Sequence, residues 1–201
     1  MSTGCIVVTG AAGALGSVVV QRLQRDGAKV FGIDRKLADV TDEAQVEKAY
    51  ESARREHGGI LGAVHCAGGW APGTVADTTV DVFEKMIALN LRSTFLCCRE
   101  ALRRMGSEGR IVNVAAIDPA HLTRIGGSAA YAAAKAGVIA LTKAIAESGP
   151  ARANCVAPGT LRTPNNPPAP GQVPLEVVAD AIAYLLSPSA PNGAVLTFPA
   201  K

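Results

Sequence analysis

The chain has 201 residues, a formal net charge of +3, 48% hydrophobic residues and 18% charged residues. This length suits a single domain with a substantial core, and this composition excludes an intrinsically disordered chain. The small net charge, with short arginine pairs at Arg54–Arg55 and Arg103–Arg104 in amphipathic stretches, argues against a nucleic-acid-binding surface.

The five cysteines have no CxxC spacing, and Cys5, Cys66 and Cys155 fall in apolar runs typical of strands. Buried, reduced thiols are therefore expected in preference to disulfides or metal ligands. A strand is predicted within a few residues of the first residue, and no apolar run is expected to reach the length of a membrane span. We therefore expect a cytoplasmic protein.

Short apolar runs alternate with longer helical patterns along the whole chain. Strands are predicted at Cys5–Thr9, Lys29–Ile33, Ile60–Cys66, Arg110–Val114, Ala153–Val156 and Ala194–Phe198. Helices are predicted near 14–26, 42–57, 79–105, 128–147 and 174–187. Several strand runs are apolar on consecutive residues, as expected of parallel strands covered on both faces. The alternation predicts an α/β fold: one Rossmann-type domain over residues 1–201, with a doubly wound parallel sheet and right-handed crossovers.

Two regions depart from this regular alternation. Between Asp34 and Asp42 there is room for a very short strand at Leu37–Val40 but for no helix, which predicts that one crossover helix is shortened or lost after the second strand. The stretch Pro158–Pro174 is rich in Pro, Asn and Gly and is predicted to be a loop beyond a strand end. Because ligands bind at the carboxyl ends of strands in this architecture, this loop should border the site.

A glycine-rich loop follows the first predicted strand and opens the first helix. Gly10 would permit the tight turn, Gly13 would let the backbone approach a pyrophosphate, and Gly16 would allow close helix packing. The helix N-terminus would then face the phosphates. Asp34 ends the second strand, where it would bind the adenosine ribose and repel a 2′-phosphate. NAD is therefore favoured over NADP, although the adjacent Arg35 could bind the extra phosphate.

Tyr131 and Lys135 are separated by three alanines, so that on a helix their side chains lie on the same face. A phenol has a pKa of about 10 and is a poor proton donor at neutral pH. A nearby lysine and a positively charged ring would stabilise the phenolate and make proton transfer useful near pH 7. This pair is typical of a hydride-transfer enzyme.

In this order and spacing, these motifs resemble those of the short-chain dehydrogenase/reductase family over nearly the whole chain. The family's Asn-Asn-Ala-Gly appears as His65–Gly68, its helix asparagine as Asn90, and its Pro-Gly turn as Pro158–Thr163. The resemblance implies that Tyr131 is the general acid/base, and that Lys135 lowers its pKa and holds the nicotinamide ribose. It also implies a homodimer or homotetramer, built through the long helices near 79–105 and 128–147.

By the same resemblance, Asn90 would order a water that connects Lys135 to solvent; pinning of the neighbouring backbone is the alternative role for this asparagine. Asp39 and Val40 would contact adenine, Ala67 and Gly68 would border the cofactor, and Leu161 and Thr163 would meet the carboxamide. The cofactor-binding residues that the glycine loop and the resemblance together imply are Gly10, Ala12, Gly13, Ala14, Leu15, Gly16, Asp34, Arg35, Asp39, Val40, Ala67, Gly68, Gly69, Tyr131, Lys135, Pro158, Gly159, Leu161 and Thr163.

The chain also departs from the family pattern. Ala14 stands where the second glycine of the usual loop is expected, and Ala116 stands where the family has its substrate-orienting serine. A hydroxyl from Thr123 or Ser128 is the alternative source of that hydrogen bond, although Ser128 is expected rather to cap the helix that carries Tyr131. Without such a donor, electron-poor acceptors such as quinonoid rings are expected to outperform simple ketones.

The segment around Trp70 is locally similar to dihydropteridine reductase, which resembles this chain in using NADH and in lacking the serine. Trp70 could stack on a flat substrate or could anchor its loop. The three histidines have no metal-binding spacing, and no metal is expected. The leading hypothesis is an NAD(P)-dependent oxidoreductase acting on a small carbonyl, imine-like or quinonoid substrate. The alternative is a nucleotide-binding protein of the same fold that has lost catalysis and serves as a sensor or assembly component.

Overall fold

Six parallel strands form one sheet in the order β2-β1-β3-β4-β5-β6. The computed structural model describes residues 4–164 and 166–199, without the side chain of Pro119; residue 165, in the predicted loop at 158–174, lies outside the described residues. The strands are β1 Cys5–Thr9, β2 Val30–Ile33, β3 Ile60–His65, β4 Arg110–Val114, β5 Arg152–Pro158 and β6 Val195–Phe198. All six predicted strands are present, with ends shifted by at most two residues. The doubly wound parallel fold is confirmed.

The helices follow the predicted segments, with two differences: a wider turn inside one helix, and a short helix at Ile117–His121 that was not predicted. They are α1 Ala14–Arg25, α2 Glu43–His57, α3 Val80–Met86, α4 Ser93–Arg104, α5 Ile117–His121, α6 Ala129–Ser148 and α7 Leu175–Leu185. A π-helical segment, Ile87–Arg92, joins α3 to α4 without a break, because the residues at both junctions keep helical dihedrals. The helix predicted near 79–105 is therefore one long helix with a wider turn in its middle.

The predicted strand at Leu37–Val40 is wrong, since these residues form turns. The Oδ1 atom of Asp34 accepts hydrogen bonds from the amides of Lys36 at 2.9 Å and Leu37 at 3.3 Å, so the chain curls as soon as β2 ends. Asp42 then caps α2 by accepting from the amide of Gln45 at 3.0 Å. No helix lies between β2 and α2 in this fully described stretch, as predicted for the lost crossover. Because no strand forms at Leu37–Val40, β2 is an edge strand of the sheet.

The sheet is buried on both faces, which accounts for its consecutive apolar residues. Val7 packs in a cluster with α2, α4 and α6, whereas the next residue, Val8, packs in a cluster with α1 and α7. Ile111 and Val112 divide between the same two clusters. The carboxyl ends of the strands therefore open along one edge between two helical layers, where a ligand has access.

By length and apolar composition, α6 could cross a membrane, so the expectation that no apolar run reaches that length is wrong. Its composition has another explanation in the fold. The helix packs against β5 and the π-helical segment, and it buries Val138 and Thr142 completely. An apolar helix of this length suits the core layer in which it lies.

Candidate active site

The loop after β1 brings two backbone segments unusually close together. Gly10 has a φ of +67°, and a Cβ there would lie 2.8 Å from the amide nitrogen of Ala67. A Cβ on Gly16 would lie 2.0 Å from the carbonyl oxygen of Gly10, so only glycine permits this packing of α1. The N-cap residue Gly13 offers no side-chain cap, and the first turn of α1 holds no acidic residue. The amides at this helix end are thus available to an anion such as a phosphate.

A cleft of about 380 Å³ runs from this loop along the carboxyl edge of the sheet. Most of the predicted nucleotide-binding residues that are not in α1 line it: Gly10, Ala12, Gly13, Asp34, Arg35, Asp39, Val40, Ala67 and Gly68. Residues that sequence reasoning did not assign also line it: Ile33, Lys36, Ala38, Cys66 and Leu89. The glycine-rich wall, the open helix end and the acidic residue after β2 together fit a dinucleotide. Two of these residues could have been found from the sequence: Lys36 lies two residues after Asp34, and Cys66 directly follows β3.

The polar residues at the far end of the cleft are held by local turns. Besides Asp34, Asp39 accepts hydrogen bonds at its Oδ1 from the amide and the hydroxyl of Thr41, both at 2.8 Å. Arg35 and Lys36 place two cations on the same wall. This end of the cleft therefore offers both a carboxylate for ribose hydroxyls and cations for a phosphate.

Lys135 is buried on α6, where its Nζ atom donates a hydrogen bond of 2.8 Å to the carbonyl oxygen of Val114 at the end of β4. Burial lowers the pKa of Lys135 to about 8, with a smaller opposing effect from the thiols of Cys155 and Cys66. The ammonium is thus fixed in place, and it remains mostly protonated at neutral pH.

Tyr131 lies one turn before this lysine, with the Lys135 Nζ atom 5.9 Å from the centroid of its ring. The protein raises the pKa of Tyr131 to about 12, first by burial and then by the charge of Asp118. This result differs from the expected lowering, because the loss of solvation and the charge of Asp118 both disfavour the phenolate. A positively charged nicotinamide ring would act in the direction opposite to Asp118.

Asn90 lies in the π-helical segment, and its carboxamide holds the loop after β3. Its Nδ2 atom donates to the carbonyl oxygens of Gly69 and Met86, both at 3.0 Å, and its Oδ1 atom accepts from the amide of Gly69 at 3.2 Å. The backbone-pinning role considered for Asn90 is therefore present in the structure. The water-ordering role stays a prediction. A π-helical turn at this position is in keeping with the frequent occurrence of such turns at functional sites.

The segment between β4 and α6 contains the position of the missing serine. Ala116 precedes α5 and accepts from the amide of Ala120 at 3.1 Å through its carbonyl oxygen. Asp118 on α5 binds Arg124, whose Nε and Nη2 atoms lie 3.0 and 2.6 Å from one carboxylate oxygen. Ser128 occupies the N-cap position of α6 but makes no side-chain capping bond, so its expected capping role is wrong.

The loop after β5 crosses back on itself beside this edge of the sheet. Leu161 pairs with Val173 in an isolated parallel bridge, and the side chain of Asn166 donates to the carbonyl oxygen of Leu161 at 3.0 Å. The predicted cofactor residues of this segment, Pro158, Gly159, Leu161 and Thr163, lie at the end of β5 and in the loop, outside the lining of the cleft. Ala14, Leu15 and Gly16 lie in α1, with the Leu15 side chain in the core.

A buried chain of hydrogen bonds lies beneath the site. The hydroxyl of Tyr50 donates to Nε2 of His65 at 2.9 Å, and Nδ1 of His65 donates to Oδ1 of Asn113 at 2.7 Å. The Asn113 amide donates to the hydroxyl of Thr142 at 2.9 Å, and this hydroxyl donates to the carbonyl oxygen of Val138 at 2.7 Å. Burial lowers the pKa of His65 to about 4, so the ring is neutral at pH 7; with Nδ1 donating to Asn113, Nε2 is left to accept from Tyr50. The chain links α2, β3, β4 and α6.

Comparison with known proteins finds relatives over almost the whole chain. A family model described as enoyl-(acyl carrier protein) reductase matches residues 6–183. The 2-(R)-hydroxypropyl-CoM dehydrogenase of Xanthobacter autotrophicus is 30% identical over 238 aligned residues, covering 94% of each chain. A short-chain dehydrogenase/reductase from Serratia marcescens superposes with a TM-score of 0.88 at 27% identity, over 98% of this chain and 96% of that one. A blue fluorescent protein from a metagenomic library, solved with NADPH, superposes with a TM-score of 0.87 at 25% identity, over 98% of this chain and 97% of that one.

Proposed function

The chain belongs to the short-chain dehydrogenase/reductase family and is an oxidoreductase that depends on a nicotinamide cofactor, and we propose that it transfers a hydride between NAD and a small carbonyl, imine-like or quinonoid substrate. The observation that carries this proposal is the contact of Lys135 and Asn90 with Gly68, which lines the nucleotide-sized cleft, together with the Tyr131 ring beside the Lys135 ammonium. A Cβ on Gly68 would lie 2.7 Å from Asn90 Oδ1 and 3.4 Å from Lys135 Nζ.

In this mechanism the cofactor supplies or accepts the hydride, and the side chains manage the proton. For reduction, the Tyr131 hydroxyl donates its proton to the substrate oxygen or nitrogen as negative charge develops there. Lys135, fixed by Val114, would provide a cation beside the resulting phenolate and would hold the nicotinamide ribose when the cofactor is bound. Asn90 keeps the Gly69 backbone in place, next to Gly68 in the lining of the cleft.

The preference for NAD rests on Asp34, whose carboxylate stands at the end of β2 and lines the cleft. A carboxylate there favours two ribose hydroxyls and repels a 2′-phosphate. Arg35 and Lys36 act in the other direction, and the similar metagenomic protein binds NADPH. We give Asp34 the greater weight because the turn formed with Lys36 and Leu37 holds its carboxylate in place.

A planar substrate is supported by Trp70, which follows the Ala67–Gly69 segment and is 63% exposed. An exposed indole offers a flat apolar surface for stacking. The pairing of Gly73 with Ser128 brings the Trp70 loop next to the start of α6, one turn from Tyr131. The substrate is thus expected to lie between this loop and Tyr131.

The test is a screen for NADH consumption at 340 nm with simple ketones, imines and quinones, using the unmodified protein, Tyr131→Phe and Tyr184→Phe. Tyr184 is half-exposed on α7 and is the matched control. We expect Tyr131→Phe to lower kcat at least about a hundredfold, as is typical of a lost general acid, and Tyr184→Phe to leave it unchanged. Cofactor binding is followed separately by quenching of Trp70, the only tryptophan. Tight NADH binding without turnover of any acceptor would favour the sensor alternative.

A homo-oligomer is part of the same proposal. Phe83 and Phe95, on α3 and α4, are each 46% exposed, and the Arg99 guanidinium lies 5.8 Å from the Phe95 ring centroid. Large aromatic side chains exposed along one long helix are typical of a surface covered by another subunit.

A further inference from the structure

We propose that the hydroxyl of Ser128 donates the hydrogen bond to the reacting substrate atom, in place of the serine that Ala116 replaces. This inference rests on the proposed hydride transfer, in which negative charge develops on that atom. Ser128 is a catalytic residue in this scheme because it contacts the substrate.

The first observation is that Ser128 stands at an N-cap position without acting as a cap. At the start of α2, Asp42 accepts from the Gln45 amide at 3.0 Å, and at the start of α3, Thr79 accepts from the Val82 amide at 3.3 Å. Ser128 has φ −154° and ψ 52° and makes no such bond. Serine at an N-cap ordinarily binds the amide two or three residues on, so its hydroxyl has been turned away from its usual partner.

The second observation is that both backbone groups of Ser128, and the next amide, are hydrogen-bonded. The Ser128 amide donates to the carbonyl oxygen of Ile125 at 3.2 Å, and its carbonyl oxygen accepts from the Ala132 amide at 2.9 Å. The next amide, that of Ala129, donates to the carbonyl oxygen of Gly73 at 3.0 Å. These bonds fix the position of the half-buried Ser128 while leaving its hydroxyl uncommitted among the described hydrogen bonds.

The third observation is the position of Ser128 relative to Tyr131. The two residues are three apart at the start of α6, and a helical side chain leans over the turn that precedes it. The Tyr131 side chain therefore extends toward the turn that Ser128 begins. The Gly73–Ser128 bridge also sets Ser128 beside the Trp70 loop. A substrate held between Trp70 and Tyr131 would thus present its reacting atom to both hydroxyls.

Thr123, the other available hydroxyl, is less suited to this role. It is exposed to solvent, and its amide donates to the carbonyl oxygen of Asp118 in the turn that closes α5. Its neighbours Leu122 and Arg124 adopt φ of 53° and 49°, which directs this turn outward into an irregular surface segment. A donor that stabilises developing charge works best where water is excluded, which favours the half-buried Ser128.

The test compares Ser128→Ala, Ser128→Thr, Thr123→Val and the double variant Ser128→Ala/Ala116→Ser. We expect Ser128→Ala to lower kcat/KM for a simple ketone roughly a hundredfold, as removal of one such donor typically does, and to affect a quinone less. The NADH Kd and the Tm should stay unchanged, because Ser128 neither lines the cleft nor caps the helix. Ser128→Thr should retain most of the activity, Thr123→Val all of it, and Ala116→Ser should restore at least tenfold in the double variant.

The inference is overturned if Ser128→Ala keeps full ketone activity, if Thr123→Val causes the loss instead, or if Ser128→Ala lowers Tm and kcat/KM together without rescue by Ala116→Ser. Tyr131→Phe in the same assays separates this failure from that of the function. If Tyr131→Phe is inactive while Ser128→Ala is active, only the role of Ser128 is wrong. If neither the unmodified protein nor any variant reduces an acceptor, the proposed hydride transfer and the role of Ser128 are both wrong.

Discussion

The backbone of Gly68 lies directly against the carboxamide of Asn90, so that a Cβ on Gly68 would stand 2.7 Å from Asn90 Oδ1. Asn90 has little freedom to move aside, because three hydrogen bonds hold its side chain to Gly69 and Met86. The same Cβ would lie 3.4 Å from Nζ of Lys135. This contact is where the cofactor cleft meets the catalytic residues.

Replacing Gly68 with alanine should therefore damage the site more than the fold. We expect Gly68→Ala to lower kcat at least tenfold, in line with the effect of small misplacements at a reacting centre. Gly106→Ala is the matched control, because a Cβ at Gly106 meets nothing within 4 Å. Steady-state kinetics and thermal unfolding of both variants check this expectation. Equal kcat values for the two variants would show that the contact is tolerated.

The cofactor preference can be tested by a substitution that keeps the turn after β2. Asp34→Asn retains an oxygen to accept from the amides of Lys36 and Leu37 and removes only the charge. We expect the unmodified protein to bind NADH more tightly than NADPH, and Asp34→Asn to raise NADPH affinity about tenfold, since one repulsive charge near a phosphate is worth about 1 kcal/mol or more at a partly exposed site. Titrations monitored by Trp70 fluorescence measure both constants.

Arg35→Gln is the converse variant. If the unmodified protein already prefers NADPH, and Arg35→Gln removes that preference, the basic residues determine the choice of cofactor and the role given to Asp34 is wrong.

The charge of Asp118 should set the pH dependence of catalysis. Its carboxylate is the second cause, after burial, of the raised pKa of Tyr131. Alcohol oxidation requires the phenolate, so its rate should rise with pH toward the pKa of Tyr131. Removing the negative charge with Asp118→Asn should lower this pKa and move the rising limb to lower pH. The measurement is kcat for alcohol oxidation across pH 6–10, which shows where the rate begins to rise.

Arg124→Gln should have the opposite effect on the same limb, because it leaves the Asp118 carboxylate without its partner. Asp26→Asn, at the exposed end of α1, is the control and should leave the profile unchanged. A limb that stays in place in both Asp118→Asn and Arg124→Gln would mean that Asp118 has no electrostatic effect on Tyr131.

The sequence predicts the strands and most of the helices well because the relevant signals are local. The glycine loop requires a positive φ at Gly10, and the buried parallel strands require consecutive apolar residues such as Val7 and Val8. The Leu37–Val40 strand fails for an equally local reason that apolar patterning does not record. The Asp34 side chain binds the next amides and turns the chain before a strand can form.

Other features depend on contacts between distant parts of the chain, and no local pattern indicates them. The approach of Asp118 to Tyr131, the pairing of Gly73 with Ser128 and the hydrogen bond from Tyr50 to His65 all arise from packing. The π-helical turn at Asn90 has no sequence signal of its own either. These contacts decide how the predicted catalytic residues behave once they are brought together.

The apolar surface of α4 should hold subunits together. We expect a dimer or tetramer by light scattering at micromolar concentration, and a smaller species for Phe95→Glu, which places a charge on the exposed aromatic surface. Val177→Glu is the control, because Val177 is similarly exposed, at 47%, but lies on α7. If the unmodified protein is monomeric, it has no such interface. If the Phe95→Glu variant has the same mass as the unmodified oligomer, the interface does not involve Phe95.

His65 should make the stability of the protein depend on pH. Burial lowers its pKa from 6.5 to about 4 in the folded protein, whereas the unfolded chain keeps an ordinary histidine. Between these values the unfolded chain binds a proton that the folded protein does not. The contribution of neutral His65 is therefore complete above pH 6.5 and is lost as the pH falls toward 4, by about 3 kcal/mol in total.

His65→Asn removes this titration while leaving a side chain able to hydrogen-bond to Asn113. We expect the free energy of unfolding from urea denaturation, at one protein concentration, to fall less steeply between pH 6.5 and pH 4 in His65→Asn than in the unmodified protein. His57→Asn is the control for the loss of a histidine, since His57 ends α2 outside the buried hydrogen-bond chain. Carboxylates titrate in the same range in all three proteins, so the difference in slope isolates His65. Parallel slopes for His65→Asn and the unmodified protein would show that His65 is protonated in the fold as readily as in the unfolded chain.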